Sequence, residues 1–205
     1  MDTATFQYMI DDYLRKHSGL EVKRDYLGIS TIGKCPRQAV REYLHGKGEL
    51  TLQAHLMCYG GYLFEQDVMR RLWEIGVARI AALEGEQQME VVSDFDPRLR
   101  GHVDGETVDG DLLEIKSVTR TKYENVKKTH MPLSEHFAQV QLYMKYGPWK
   151  KCWIVYVCRE TMEHHVVKVS YLHGQAIKYE LKAQRILAHI DTEILPACEC
   201  RYCKD

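Results

Sequence analysis

Gly101-His102-Val103-Asp104-Gly105, followed after a short gap by Leu112-Leu113-Glu114-Ile115-Lys116-Ser117, is the stretch that decides how this chain folds and what it can do. Glu114 and Lys116 stand two apart in a run that reads as a strand, so their side chains share a face. That face carries an anion and a cation in otherwise apolar surroundings, which is costly unless something compensates. A divalent ion compensates a carboxylate pair well, because Mg²⁺ and Mn²⁺ prefer hard oxygen ligands. Asp104 joins the pair in one register only. A two-residue loop at Asp109-Gly110 pairs Asp104 with Ile115 and sends it to the wrong face. A three-residue loop, Asp109-Gly110-Asp111, pairs Asp104 with Lys116 and Glu106 with Glu114, so that Asp104, Glu114 and Lys116 converge. Gly110 or Asp111 at positive φ suits the bulge of such a loop. The bland alternative is a salt-bridged surface hairpin. The apolar Leu112-Leu113 and the glycine-flanked Asp104 count against it.

Outward from that hairpin, Leu99–Val108 and Leu112–Val118 read as its two strands, with a strand at Met89–Val92 and a turn at Asp94–Pro97 before them. Ser134 caps a helix to Tyr146, closed by Gly147-Pro148. Cys152–Cys158 has almost no polar face and reads as a strand buried on both sides, with Val166–Ser170 pairing back on it. Earlier in the chain, Pro36–His45 reads as a helix with Cys35 at its cap and Gly46 as its stop. A second helix runs from Tyr62 to Ile75, after Gly60-Gly61. Leu172, Ala176, Tyr179, Ala183, Leu187, Ile190 and Ile194 form one stripe of a closing helix to Leu195, ended by Pro196. The layout is α/β with one central mixed sheet flanked by helices.

Length and composition agree. The chain has 205 residues, 45% hydrophobic and 28% charged, which fits one globular domain and excludes disordered, collagenous and coiled-coil classes. Residues 1–75 read as an N-terminal helical part, 86–170 as the sheet core, and 171–205 as closing helix and tail. The longest apolar run, Cys152–Cys158, is far too short to span a membrane, and Met1–Asp12 does not resemble a signal peptide. A cytoplasmic location is the expectation. The formal charge of −1 does not advertise a nucleic-acid binder, so local charge must do that work. Seven cysteines, an odd count, argue against a disulfide framework and for metal ligation by clustered thiols.

Asp104, then Glu114-Ile115-Lys116, then Gln139-Val140-Gln141-Leu142-Tyr143 resembles the PD-(D/E)xK nucleases of the RecB type. In that family an Asp and an ExK motif form the metal site, and a following helix carries Q-x-x-x-Y. The resemblance covers residues 30 to 203, nearly the whole chain. It implies a restriction-endonuclease-like fold. It also implies catalytic roles for Asp104, Glu114, Lys116, Gln139 and Tyr143. Mg²⁺ or Mn²⁺ would be held by Asp104, Glu114, the Ile115 carbonyl and Glu65, directly or through water. Glu65 matches the acid or histidine that the family supplies from the preceding helix.

Cys198-x-Cys200-x-x-Cys203 places three thiols within six residues, a density hard to read as packing. The resembled family has an iron–sulfur branch with one N-terminal cysteine and three C-terminal ones. It includes the CRISPR-associated adaptation exonucleases and the nuclease domain of AddB-type helicase–nucleases. That branch implies Cys35 as fourth ligand to a cluster, a 4Fe-4S cluster by resemblance, clipping the chain ends together. The C-x-C-x-x-C spacing is tighter than the branch usually shows and leaves a Cys₄ Zn²⁺ site open. Cys58, Cys152 and Cys158 read as structural.

Between Lys116 and Lys128, Arg120, Lys122, Lys127 and Lys128 face a single Glu124, which makes a candidate phosphate track or an ordinary solvated segment. Tyr123 is a candidate for stacking on an unpaired base. Arg37, beside Cys35, is a candidate DNA contact or a solvating residue, and so is Arg41. His136, Gln139 and Tyr143 share one helix face. His136 is either a polar neighbour of the site or a satisfied core histidine. The expected function is a Mg²⁺- or Mn²⁺-dependent deoxyribonuclease with weak sequence preference. From the resemblance, it is an exonuclease on single-stranded or frayed DNA ends, with an integrase or helicase as possible partner. The alternative is a non-catalytic iron–sulfur module that binds DNA ends. A sequence-specific restriction endonuclease would want a further recognition domain, for which 205 residues leave little room.

Overall fold

The computed structural model describes residues 2–17, 23–48, 50–81 and 88–200. In chain order its elements are α1 (Thr3–His17), β1 (Leu27–Gly28), a 3-10 turn at Ile29–Thr31, α2 (Pro36–His45), α3 (Leu52–Glu74), β2 (Ala78–Ala81), β3 (Glu90–Val92), β4 (Leu99–His102), β5 (Gly105–Thr107), β6 (Leu112–Val118), α4 (Arg120–Thr129), α5 (Ser134–Tyr146), β7 (Lys151–Cys158), β8 (His164–Ser170) and α6 (His173–Thr192).

Among the described residues β2-β5-β6-β7-β8 form a mixed five-stranded sheet, and β1-β4-β3 a small second one. β6 and β7 pair in parallel over their length, from Leu112 opposite Cys152 to Val118 opposite Cys158. A parallel pair needs a crossover, and α4 and α5 supply it. Because side chains alternate across a strand, the sheet has two cores. Leu112, Val118, Cys152, Ile154, Tyr156 and Cys158 face α5 and α6, packing with Val140, Tyr143, Ile186 and Leu187. Leu113, Ile115, Val155 and Val157 face α3 and meet Val68 and Met69. The α/β class with a restriction-endonuclease-like central mixed sheet is therefore what the chain builds.

Several readings need correction. The run Leu99–Val108 is not one strand. β4 belongs to the small sheet and β5 to the large one, and the chain crosses between them at Val103-Asp104. The hairpin register is displaced by two residues from the expected one: Gly105 pairs with Leu113 and Glu106 with Leu112. Glu106 therefore does not oppose Glu114. Thr107 N–H donates to the Asp111 carbonyl at 2.9 Å, so the loop is Val108-Asp109-Gly110, with Gly110 at φ 78°. The expected parity survives, because a displacement of two preserves the face. Gly60-Gly61 do not precede a helix but lie inside α3, which starts at Leu52 with Thr51 Oγ1 accepting from Ala54 N–H. α5 is capped at Leu133, and the Ser134 side chain makes no cap. The basic segment after β6 is the helix α4. The elements α1, β1 and β2 had no clear sequence signal. Among the described residues no helix is long and apolar enough to cross a membrane.

Candidate active site

Asp104, Glu114, Lys116, Gln139 and Tyr143 come together where β5, β6 and α5 meet, with Glu65 reaching in from α3. Asp104 leaves the strand ladder at the crossing between the two sheets. Its Oδ2 accepts from the Ile115 N–H at 2.6 Å, which ties it to the strand of the Glu-x-Lys motif. Glu114 is fully buried. Its Oε1 accepts from Lys116 Nζ and, at 2.7 Å, from Gln139 Nε2. Gln139 Nε2 also lies 3.2 Å from Tyr143 Oη as donor, and Tyr143 donates to the His102 carbonyl at 2.7 Å. The spacing of Gln139 and Tyr143 on one helix face thus links Glu114 to the last residue of β4.

Burial pushes both flanking acids up. Glu65 rises to about 8, by desolvation and by the Asp104 carboxylate. Glu114 rises to about 8, by desolvation and then by Asp104. Asp104 is also raised, chiefly by burial. Burial alone would lower Lys116, but Glu114 and Asp104 outweigh it and hold the ammonium charged. Three carboxylates against one ammonium leave the cluster short of positive charge. Glu114 Oε2 has no hydrogen-bond partner among the described residues although it is buried, and a desolvated carboxylate oxygen without a donor is costly. This donor set, all hard oxygen, fits Mg²⁺ or Mn²⁺. Asp104, Glu114, Glu65 and the Ile115 carbonyl are the groups that would hold it. Glu65 Oε1 also accepts from Gln88 Nε2 at 2.7 Å, a neighbour no motif announced.

The cluster opens onto a cleft of about 750 Å³ lined by Glu65, Ile115, Lys116, Ser117, His136 and Arg159 among others. His136 lines it as a neutral ring. Leu133 N–H donates to Tyr156 Oη at 3.1 Å, and His136 Nδ1 shares a hydrogen bond of 3.0 Å with the same hydroxyl. Burial, and after it the Lys116 charge, push His136 down to about 3.

The candidate DNA contacts fare differently. Tyr123 is 1% exposed and packed in the main core, with Lys127 Nζ 5.7 Å from its ring centre, so it cannot stack on a base. Its spacing on α4 turns it toward β7, the apolar side of an otherwise charged helix. Arg120, Lys122, Lys127 and Lys128 are exposed on α4, and none lines the cleft. Lys122 pairs with Glu135 at 2.9 Å. Arg37 donates to the Pro196 carbonyl at 3.2 Å and holds the tail against α2. The cations that do line the cleft, besides Lys116, are Arg24, Lys47 and Arg159. They come from three separate segments, and sequence reading missed them. Arg159, directly after the buried strand, is the one whose position carried a signal.

A second cluster lies at the chain ends. Cys35, at the N-cap of α2, has its sulfur within 4.8 Å of those of Cys198 and Cys200. Lys182 Nζ donates to the Lys34 carbonyl at 2.7 Å beside it. Cys203 lies outside the described residues. Three thiols from the two ends of the chain fit a soft metal site. The Cys198 and Cys200 sulfurs are 3.8 Å apart, close to what two thiolates on one tetrahedral ion adopt with bonds of about 2.3 Å.

No protein-family model and no curated protein matches the chain. Solved structures do. An alkaline exonuclease (LHK-Exo) from Laribacter hongkongensis superposes with a TM-score of 0.61 at 17% identity, covering 82% of this chain and 89% of that one. Its complex with dAMP gives 0.63 over the same shares, again at 17% identity. A protein designated SSO0001 gives 0.59 at 15% identity, over 89% of this chain and 85% of that one. The chain shares the fold of these proteins, the fold its Asp and Glu-x-Lys motifs led us to expect.

Proposed function

We propose that the chain is a metal-dependent deoxyribonuclease of the PD-(D/E)xK type, acting from DNA ends. The observation that carries this is the buried convergence of Asp104, Glu114 and Lys116, with an orphaned Glu114 oxygen, beside a cleft open to a strand. The fold shared with an alkaline exonuclease supports it. Asp104, Glu114, Glu65 and the Ile115 carbonyl would hold Mg²⁺ or Mn²⁺. When bound, that ion supplies charge to the scissile phosphate and acidifies a water beside it. Lys116, fixed against Glu114 and held protonated, orients the attacking oxygen and stabilises the charge that develops on the phosphate. Gln139 fixes the Glu114 carboxylate, and Tyr143 fixes Gln139. Nothing in this machinery reads a base, so sequence preference is weak. A single-stranded or frayed end fits a cleft with Met57, Tyr62 and His17 on its wall, surfaces on which unpaired bases can lie. We read the whole chain as one nuclease domain, its ends clipped by Cys35, Cys198, Cys200 and Cys203 on an iron–sulfur cluster or a Zn²⁺ ion. The resemblance to the adaptation nucleases and to AddB adds an integrase or helicase partner.

The test is degradation of linear single- and double-stranded DNA with Mn²⁺, Mg²⁺ or EDTA. Wild type is run beside Lys116→Ala and Glu114→Ala, on protein purified without oxygen. Activity that needs the metal and falls about a hundredfold or more in both variants is expected. A folded protein that cleaves neither substrate with either metal overturns the reading and leaves a DNA-end-binding module.

A further inference from the structure

Arg159 follows the last residue of β7 and lines the cleft beside Lys116, Ser117 and His136. Its backbone N–H bonds the Val118 carbonyl at 3.0 Å, extending the β6–β7 ladder by one residue. Its side chain folds back onto β6. Nε donates to Ser117 Oγ at 3.2 Å, and Nη2 donates to the Ser117 carbonyl at 2.9 Å. Those bonds take two of the five N–H groups of a guanidinium. The other three have no acceptor among the described residues. Arg70, Arg71, Arg98 and Arg100 each pair with a carboxylate. Arg159 forms no ion pair among the described residues. The adjacent Glu160 is fully exposed and accepts chiefly from the Arg120 backbone N–H, and the Arg159 charge acts on it only weakly. A cation so held has lost its side-chain freedom on folding, so a ligand that binds it pays little further ordering entropy.

The charge of the site says what ligand that is. Glu65, Asp104 and Glu114 repel an anionic strand, and Lys116 is already engaged by Glu114. A strand that threads the cleft needs a cation outside the carboxylate cluster. Ser117, the anchor of Arg159, lies three residues beyond Glu114 on β6, about 10 Å along the strand at ~3.3 Å per residue. That offset suits a phosphate next to the scissile one rather than the scissile one itself. We propose that Arg159, pinned by Ser117, is a fixed clamp for the phosphodiester that neighbours the cleavage point. It is a substrate-positioning residue that acts on binding and leaves the chemical step alone. This rests on the nuclease reading for its substrate.

The test measures binding of a labelled single-stranded oligonucleotide by fluorescence anisotropy across a KCl series with Mn²⁺. Glu114→Gln serves as the background to suppress cleavage, with and without Arg159→Ala. KM and kcat are read in parallel for the Arg159 variants with Glu114 intact. Loss of the clamp is expected to weaken binding about tenfold. It should lower the slope of log affinity against log salt by about 0.7, and raise KM with kcat within about threefold. Arg159→Lys restores the slope and part of the affinity, since it keeps the charge and loses the fork. An unchanged slope overturns the proposal, whether affinity stays put or falls along with thermal stability, since the second pattern marks a structural pin. A fall in kcat with KM and slope unchanged overturns it too. A protein that binds DNA and never cleaves it defeats the nuclease reading alone, because the slope still tests Arg159. Failure to bind any DNA defeats both.

Discussion

Glu114 is fully buried with one oxygen bonded by Lys116 and Gln139 and the other without a partner among the described residues. That carboxyl is costly to ionise until a metal ion joins Lys116 beside it. Mn²⁺ is therefore expected to raise the thermal midpoint of the wild-type chain by about 5 °C or more at saturation, and EDTA to remove the gain. Glu114→Gln keeps an oxygen to accept from Lys116 or Gln139 and removes the buried charge. It should fold with undiminished metal-free stability while losing both the Mn²⁺-induced rise and activity. Differential scanning calorimetry checks this. A Glu114→Gln protein that still gains the full shift with Mn²⁺ would place the ion elsewhere.

Two elements from different sheets place Asp104. β4 ends at His102 and β5 begins at Gly105, so the residues between them carry the carboxylate to the Ile115 amide. Tyr143 of α5 holds that crossing by donating to the His102 carbonyl. The close fit needs Gly101: a Cβ there would lie 2.8 Å from Tyr143 Oη. Gly101→Ala is expected to destabilise by about 1–3 kcal/mol through overpacking. Tyr143→Phe should destabilise by about 1–2 kcal/mol, through the lost hydrogen bonds at a buried site. In the double variant the displaced hydroxyl is gone, so the two effects should sum to less than their total. Urea midpoints at constant m value measure the cycle. Strict additivity would mean that Tyr143 does not support the crossing.

Across the whole molecule, the N-terminal cap of α2 and the segment after α6 meet at Cys35, Cys198 and Cys200. Arg37 and Lys182 bridge the same junction through the Pro196 and Lys34 carbonyls. A metal held there closes a loop of most of the chain, and such long-loop closures restrict the unfolded state most. Cys35→Ser is expected to lose the bound metal, to lower the thermal midpoint by about 5 °C or more, and to expose the tail to proteolysis. Elemental analysis separates the two occupants, one zinc per chain or several irons with a visible absorption band. A chain that holds neither metal and is indifferent to Cys35→Ser would mean that the junction is held without a metal.

What the sequence determined by itself is local and periodic. Alternation put Glu114 and Lys116 on one face, helical spacing put Gln139 and Tyr143 on another, and the apolar run Cys152–Cys158 announced the central strand. Even the displaced hairpin kept the expected face, because parity depends on whether the loop is odd or even and not on where it sits. Tertiary structure decided what those periodicities cannot express. Leu99–Val108 alternates like one strand, yet it divides between two sheets because β1 and β3 compete for its first half. Gly60-Gly61 reads as a break, yet α3 continues through it, with Gly61 facing the Ser117 hydroxyl 3.7 Å from where a Cβ would stand. The basic run after β6 reads as a phosphate track, yet α4 turns its charges to solvent and Tyr123 into the core. The cleft instead draws Arg24, Lys47 and Arg159 from segments far apart in the chain. Spacing encodes which side of an element a residue occupies, and only packing decides which elements face each other across a cleft.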